Sequence, residues 1–136
     1  MTGFMCDIVT PEALLVSEEA ELVVVPGVEG EMGFLKGHAS LVSVLADGEA
    51  RVKPAEGGDV KRYALQGGYV EVGGDKVIIL ADRALLSSEI DAAAVRAELA
   101  TIEEKLSSLS ENEVAKTTLA ADKAWCNVQL KVAEAA

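Results

Sequence analysis

Val60-Lys61-Arg62-Tyr63-Ala64-Leu65-Gln66-Gly67-Gly68-Tyr69-Val70-Glu71-Val72-Gly73-Gly74-Asp75-Lys76-Val77-Ile78-Ile79-Leu80 contains three short apolar runs divided by two glycine pairs. Runs of four to six residues rich in Val, Ile, Leu and Tyr, bounded by glycine, read as β-strands. The pairs between them read as turns. Working outward, Phe4–Val9, Glu21–Val25, Leu41–Leu45 and Ala50–Lys53 repeat the pattern, bounded by Thr10-Pro11, Pro26-Gly27, Asp47-Gly48 and Gly57-Gly58-Asp59. Gly57-Gly58 and Gly73-Gly74 sit where hairpins want positive φ. Short strands at even spacing, with no long helical pattern between them, predict a β-sandwich or flattened barrel.

The period changes near Ile90. Val95, Leu99, Ile102, Leu106 and Leu109 recur in steps of four and three, an apolar helical stripe. A second stripe runs through Val114, Thr118, Ala121, Trp125, Val128 and Val132. Ser110 followed by Glu113 has the form of a capping box, so the second helix is expected to start there. Two such helices joined by a few polar residues predict an antiparallel helical hairpin. The expected division is 1–88 for the β-domain and 89–136 for the hairpin. Alanine is frequent on both helices, so each buries little area and the hairpin gains little from packing.

The chain has 136 residues and a net charge of −11. Its length suits one domain, or one compact domain with an appendage. So acidic a chain lacks the basic footprint that nucleic acid requires. Basic or neutral protein surfaces are the expected partners. Cys6 and Cys126 are far apart in sequence and form no CxxC pair, which predicts reduced, structural thiols. No opening signal segment and no membrane-length apolar run are present, which predicts a soluble protein.

Glu29-Gly30-Glu31-Met32-Gly33-Phe34-Leu35-Lys36-Gly37-His38-Ala39-Ser40-Leu41 concentrates glycines and the only histidine. It is read as one shaped loop after a buried strand, a candidate recognition surface. It lacks catalytic chemistry. Gly27, Gly30 and Gly33 do not lead into Gly-Lys-Ser/Thr, so there is no P-loop. One histidine without a Cys or carboxylate cluster argues against zinc, and no nucleophile pairs with His38. His38 is expected to hydrogen-bond the loop. Asp82-Arg83 reads as a surface ion pair or strand-end cap, and Trp125 as a helix-packing residue. No catalytic residue, metal or cofactor is expected.

These motifs together resemble the epsilon subunit of F-type ATP synthase, the counterpart of the mitochondrial delta subunit. The resemblance runs through Asp7-Ile8-Val9-Thr10-Pro11-Glu12, Val25–Leu41, Gly67-Gly68-Tyr69-Val70-Glu71-Val72 and Val77-Ile78-Ile79-Leu80-Ala81-Asp82. The Gly-Glu-x-Gly…Gly-His-Ala signature is its most specific part. Lys36 and Ser40 stand where the family usually has proline, which should loosen the loop slightly.

The resemblance implies mainly β structure plus α: a sandwich of about ten strands, then the helical hairpin. It implies a non-catalytic rotor subunit of the central stalk, binding gamma and the c-ring and coupling proton-driven rotation to ATP synthesis. By motif position, Glu29, Glu31, Gly33 and His38 fall in the loop facing the c-ring. An extended hairpin would reach the alpha and beta subunits and block hydrolysis. The second helix offers only Lys116, Lys123 and Lys131 against four acids, unlike the basic pattern of extended inhibitors. The implied location is the cytoplasmic face of a bacterial inner membrane, held there through the complex.

The alternative is an ATP-sensing subunit whose hairpin folds on nucleotide through an Ile/Leu-Asp-x-x-Arg-Ala motif. The candidates are Ile90, Asp91, Arg96 and Ala97. Two extra residues separate Asp91 from Arg96. On a helix they turn Arg96 by about 200°, so Asp91 is read first as a helix cap.

Overall fold

The computed structural model describes residues 3–135. The strands are β1 Phe4–Val9, β2 Leu14–Gly27, β3 Gly30–Phe34, β4 Leu41–Val44, β5 Gly48–Pro54, β6 Lys61–Gln66, β7 Tyr69–Val72, β8 Lys76–Leu80 and β9 Arg83–Leu86. A 3-10 turn at Ser87–Glu89 leads into helices α1 Ala92–Ser107, α2 Glu111–Val114 and α3 Leu119–Ala135. The sheet order is β4-β7-β8-β1-β2-β5-β6-β9, with β3 added to β2. Only β1 and β8 pair in parallel among these ladders.

β2 explains why nine strands do the work expected of about ten. Leu14–Ala20 runs antiparallel to β1. The register then slips between Ala20 and Leu22, and the remainder pairs with β5 and β3. A bulge of this kind bends a strand and sharpens its twist, so one strand serves both layers. A bridge between Gly27 at the end of β2 and Leu45 just after β4 ties the central strand to the edge strand. The layers enclose Phe4, Ile8, Val23, Val25, Phe34, Val52, Leu65, Val70 and Ile79. Burying each such side chain is worth about 1.5–3 kcal/mol.

A second, smaller cluster lies between α1 and α3: Val95, Ile102 and Cys126, with Leu99, Leu106, Leu119 and Leu130 against them. The stripe expected on the first helix therefore faces its partner helix. α3 lies on β6 and β5, and α1 packs chiefly on α3.

Four expectations are corrected. Glu29–Leu41 is not one loop: Gly30–Phe34 is a strand whose Met32 and Phe34 face inward. The capping box at Ser110 exists, with Ser110 and Glu113 bonding reciprocally at 3.2 Å, but it starts only the one-turn α2. The Thr117 hydroxyl then donates to Val114 O at 2.9 Å and accepts the Leu119 N–H at 3.2 Å. This side-chain competition for backbone groups breaks the helix, and α3 begins afresh at Leu119.

The third concerns the glycines. Gly57, Gly58, Gly67 and Gly68 have positive φ, whereas Gly73 and Gly74 do not. The β7–β8 hairpin closes instead with the Gly73 N–H on Lys76 O at 2.8 Å. Finally, Arg83 pairs with Asp122 on α3, not with its neighbour Asp82. Both cysteines are buried free thiols.

Candidate functional site

The end of β2 and β3 form a hairpin arm, tied at Pro26, Gly27 and Val28 to residues 44–46, at and just after the end of β4. Their register pairs Gly27 with Gly30, leaving Val28-Glu29 as a two-residue turn. Gly30 has φ +129°, with nothing within 4 Å of where a Cβ would stand. Here glycine is used for backbone shape alone. Val28, Glu29 and Gly30 are all exposed.

Glu31 and Gly33 alternate with the inward residues and share the outer face of β3. The Glu31 carboxylate is gripped on both oxygens by Arg51 of β5, at 2.9 and 3.1 Å. Arg51 also reaches Glu49 at 3.1 Å, and Glu49 accepts from Arg62 at 2.7 Å. A row of alternating charge thus crosses β3, β5 and β6. The Arg51 hydrogen bonds hold the Glu31 carboxyl below its ordinary range and raise the Arg51 guanidinium.

His38 lies beyond the far end of β3. Glu29 and His38 are thus separated by a five-residue strand, about 16 Å at about 3.3 Å per residue. The four residues taken from the motif do not meet at one point. His38 stacks edge-on against Phe34, with ring centroids 5.0 Å apart. Its Nδ1–H donates to Ala39 O at 2.8 Å and its N–H to Leu35 O at 3.2 Å. Gly37 N–H ties this turn to Gly74 O at 2.8 Å. His38 shapes its turn, as read from the sequence.

The sequence reading missed a third surface. On the outer face of β4, β7 and β8, cross-strand rows align Val44, Tyr69 and Leu80, and Val42, Glu71 and Ile78. Val42 is 67% exposed and Tyr69 53%. Val28, 60% exposed, joins the margin of this face through its N–H on Val44 O at 3.4 Å. The signal was present in Leu41-Val42-Ser43-Val44-Leu45: an apolar run without strict alternation belongs to a strand covered on both faces. Here the chain covers only one.

The nucleotide-motif candidates are otherwise engaged or scattered. Asp91 caps α1, its Oδ1 accepting the Ala94 N–H at 3.1 Å. Ile90 packs into the hairpin core. Arg96 and Ala97 are exposed on α1. Among the described residues no group of three His, Cys, Asp or Glu could hold a metal ion. No helix among them is long and apolar enough to cross a membrane.

A family model described as the ATP synthase delta/epsilon chain, beta-sandwich domain, matches residues 3–87. The ATP synthase epsilon chain of Desulforamulus reducens is 40% identical over 119 residues, covering 87% of this chain and 89% of that one. The epsilon chain of Propionigenium modestum, named as sodium ion specific, is 34% identical over 131 residues, covering 96% and 94%. Among solved structures, a chain of the Euglena gracilis mitochondrial ATP synthase OSCP/F1/c-ring assembly superposes with a TM-score of 0.70 at 24% identity, covering 98% of this chain and 79% of that one. A chain of the Tetrahymena thermophila central stalk and c-ring gives 0.59 at 15% identity, covering 95% of each. At those identities the superpositions speak for the fold alone. The sequence matches, together with the sandwich and helical hairpin, make the chain a member of the ATP synthase delta/epsilon chain family, of the epsilon type.

Proposed function

We propose that the chain is a non-catalytic rotor subunit of the ATP synthase central stalk, coupling c-ring rotation to gamma and thereby to ATP synthesis. The carrying observation is the outer face of β4, β7 and β8. A monomer rarely leaves a contiguous apolar patch open unless a partner covers it. We assign this face to gamma and the arm at Val28-Glu29, with Gly33 and the His38 turn, to the polar loops of the c-ring. An acidic arm meeting basic and polar loops is electrostatically complementary. Residues 1–88 make the coupling unit and 89–136 the hairpin unit. The subunit sits at the cytoplasmic face of a bacterial inner membrane through these contacts. The coupling ion is read as the proton.

The test is co-purification with gamma. The chain should elute with gamma, and the Val42→Ser/Tyr69→Ser variant should elute alone while keeping its fold. A chain that never binds gamma defeats the proposal.

Regulation of hydrolysis requires the hairpin to leave the sandwich and reach the alpha and beta subunits. Arg83–Asp122 and the Gln66 amide on Ala121 O at 2.8 Å hold it down. ATPase activity of the complex with and without residues 91–136 measures that role, and unchanged hydrolysis rejects it. ATP sensing gains nothing from the geometry, since the Asp91 carboxylate is spent as a cap.

A further inference from the structure

The sandwich is open along one margin. β9 ends the sheet order and pairs only with β6. Across from it, Leu14–Glu18 of β2 pairs only with β1. Between these two edges lies a cavity of about 380 Å³ that reaches down to β6.

Glu18 stands on the inner face of its strand. The β1–β2 register sets it opposite Cys6, and Val16 opposite Ile8, and both Cys6 and Ile8 are fully buried. Residues directly opposite share a face, so Glu18 points between the layers. Its Oε2 accepts from Lys61 Nζ at 2.7 Å. Its Oε1 is buried without a hydrogen-bond partner among the described residues. A buried carboxylate oxygen in that state costs free energy until something donates to it.

Lys61 and Tyr63, two apart on β6, line the same cavity. Tyr63 is only 4% exposed, and its hydroxyl bonds to none of the described residues. Burial, and then the Glu18 charge, push that hydroxyl up to about 12, so it stays neutral and its oxygen is open to a donor. Val16, Ala84 and Leu86 pack against the core beside it and make apolar walls. Glu89 stands exposed at the rim. Two acids thus face one base around a largely apolar hollow.

We propose that this cavity binds a primary alkylammonium group: the nitrogen donates to Glu18 Oε1 and to the Tyr63 hydroxyl, and the alkyl stem lies along Val16, Ala84 and Leu86. The head is an ammonium because a guanidinium fork needs both carboxylate oxygens, and Lys61 holds one. A compact ammonium with three donors needs only the other. The same chemistry is carried by a free alkylamine and by a lysine side chain of a neighbouring subunit.

The test is a titration of the full-length, isotope-labelled chain with n-butylamine hydrochloride at pH 7, followed by amide NMR, with sodium chloride and butylguanidinium as controls. Saturable shifts should appear at Val16, Glu18, Tyr63 and Leu86 with butylamine alone. Glu18→Gln, nearly the same shape, should weaken binding about tenfold or more, and Tyr63→Phe about threefold. Lys61→Met removes the competing cation and should tighten binding about threefold. Thermal melts verify that each variant is folded. That pattern supports the site and assigns it a free amine.

The second arm measures how fast the chain leaves reconstituted F1. If butylamine does not bind, yet Glu18→Gln speeds departure about threefold or more and Lys61→Met slows it, the site holds a neighbouring subunit's lysine. The proposal is overturned if butylamine shifts persist in Glu18→Gln, if butylguanidinium binds equally well, or if neither arm depends on Glu18.

Discussion

Arg83 Nη2 on β9 lies 2.7 Å from Asp122 Oδ1 on α3, a side-chain ion pair tying the helical hairpin to the sandwich. Asp122 also accepts from the Thr118 hydroxyl at 2.9 Å. One carboxylate thus helps to start α3 and to dock it. Trp125, the only tryptophan, lies one turn further along α3 beside Arg83, Ala84 and Leu85. It is a native reporter of docking.

The hydrogen bonds from Arg83 and then Thr118 hold the Asp122 carboxyl below its ordinary value. A depressed folded value means stabilisation present above about pH 4 and lost as pH falls through the folded value. The pair is part-exposed, so it is worth about 0.5 kcal/mol. Trp125 fluorescence should report hairpin release beginning below about pH 4, and Asp122→Asn should remove that component while loosening docking at neutral pH. An identical acid profile in the variant would exclude the pair as a latch.

Gly68 and Gly74 should respond oppositely to alanine. Gly68 has φ +105°, and a Cβ there would collide with the backbone of Leu80 and Ala81. Gly68→Ala should cost about 3 kcal/mol through strain and displacement of β8. Gly74 has open space and no positive φ, so Gly74→Ala should stay within about 0.5 kcal/mol or stabilise slightly. Urea unfolding of the two variants measures the contrast.

Tyr69 on β7, paired with Leu80, and Ile79 on β8, paired with Val70, have opposite duties. Ile79 is fully buried in the core, so Ile79→Ala should cost about 2–5 kcal/mol of stability. Tyr69 stands on the open face, so Tyr69→Ala should cost under about 1 kcal/mol of stability but weaken gamma binding by about tenfold or more. Calorimetry of binding beside thermal melts separates the two effects.

The outline of the sandwich was legible where apolar runs met glycine: β1, β7 and β8 fall where the sequence places them. It was illegible where local chemistry spoke for something else. β3 carries two glycines in five residues and looks like a loop, yet pairing with β2 overrides the propensity. The first half of β2 includes Ser17, Glu18 and Glu19, and Lys61 pairs with Glu18 at 2.7 Å only once the chain has folded. The break at Thr117 and Thr118 is a contest between hydroxyls and backbone that the apolar stripe does not register. At the candidate site, the glycine-rich signature was visible, but the Arg51 fork joins residues twenty positions apart. The open face of β4, β7 and β8 reads in sequence as ordinary core.

Burial, with help from Glu18 and Asp7, pushes the Cys6 thiol up to about 12, and burial also raises that of Cys126. The thiolate is the reactive form. Neither thiol should be modified by a disulfide reagent at pH 8 until denaturant is added, when both should react. Rapid reaction of Cys126 alone in native buffer would show α1 and α3 parting, because Cys126 is buried between them.

The central claim is that the apolar face of the sandwich and the β2–β3 arm join gamma to the c-ring. The most direct measurement uses an ATP synthase stripped of its epsilon subunit, to which the purified chain is returned while ATP-driven ion pumping is followed. The account predicts that the wild-type chain restores pumping and that the Val42→Ser/Tyr69→Ser variant, though folded, does not. Restoration by that variant to the wild-type level, or no restoration by the wild-type chain bound in the complex, would contradict it.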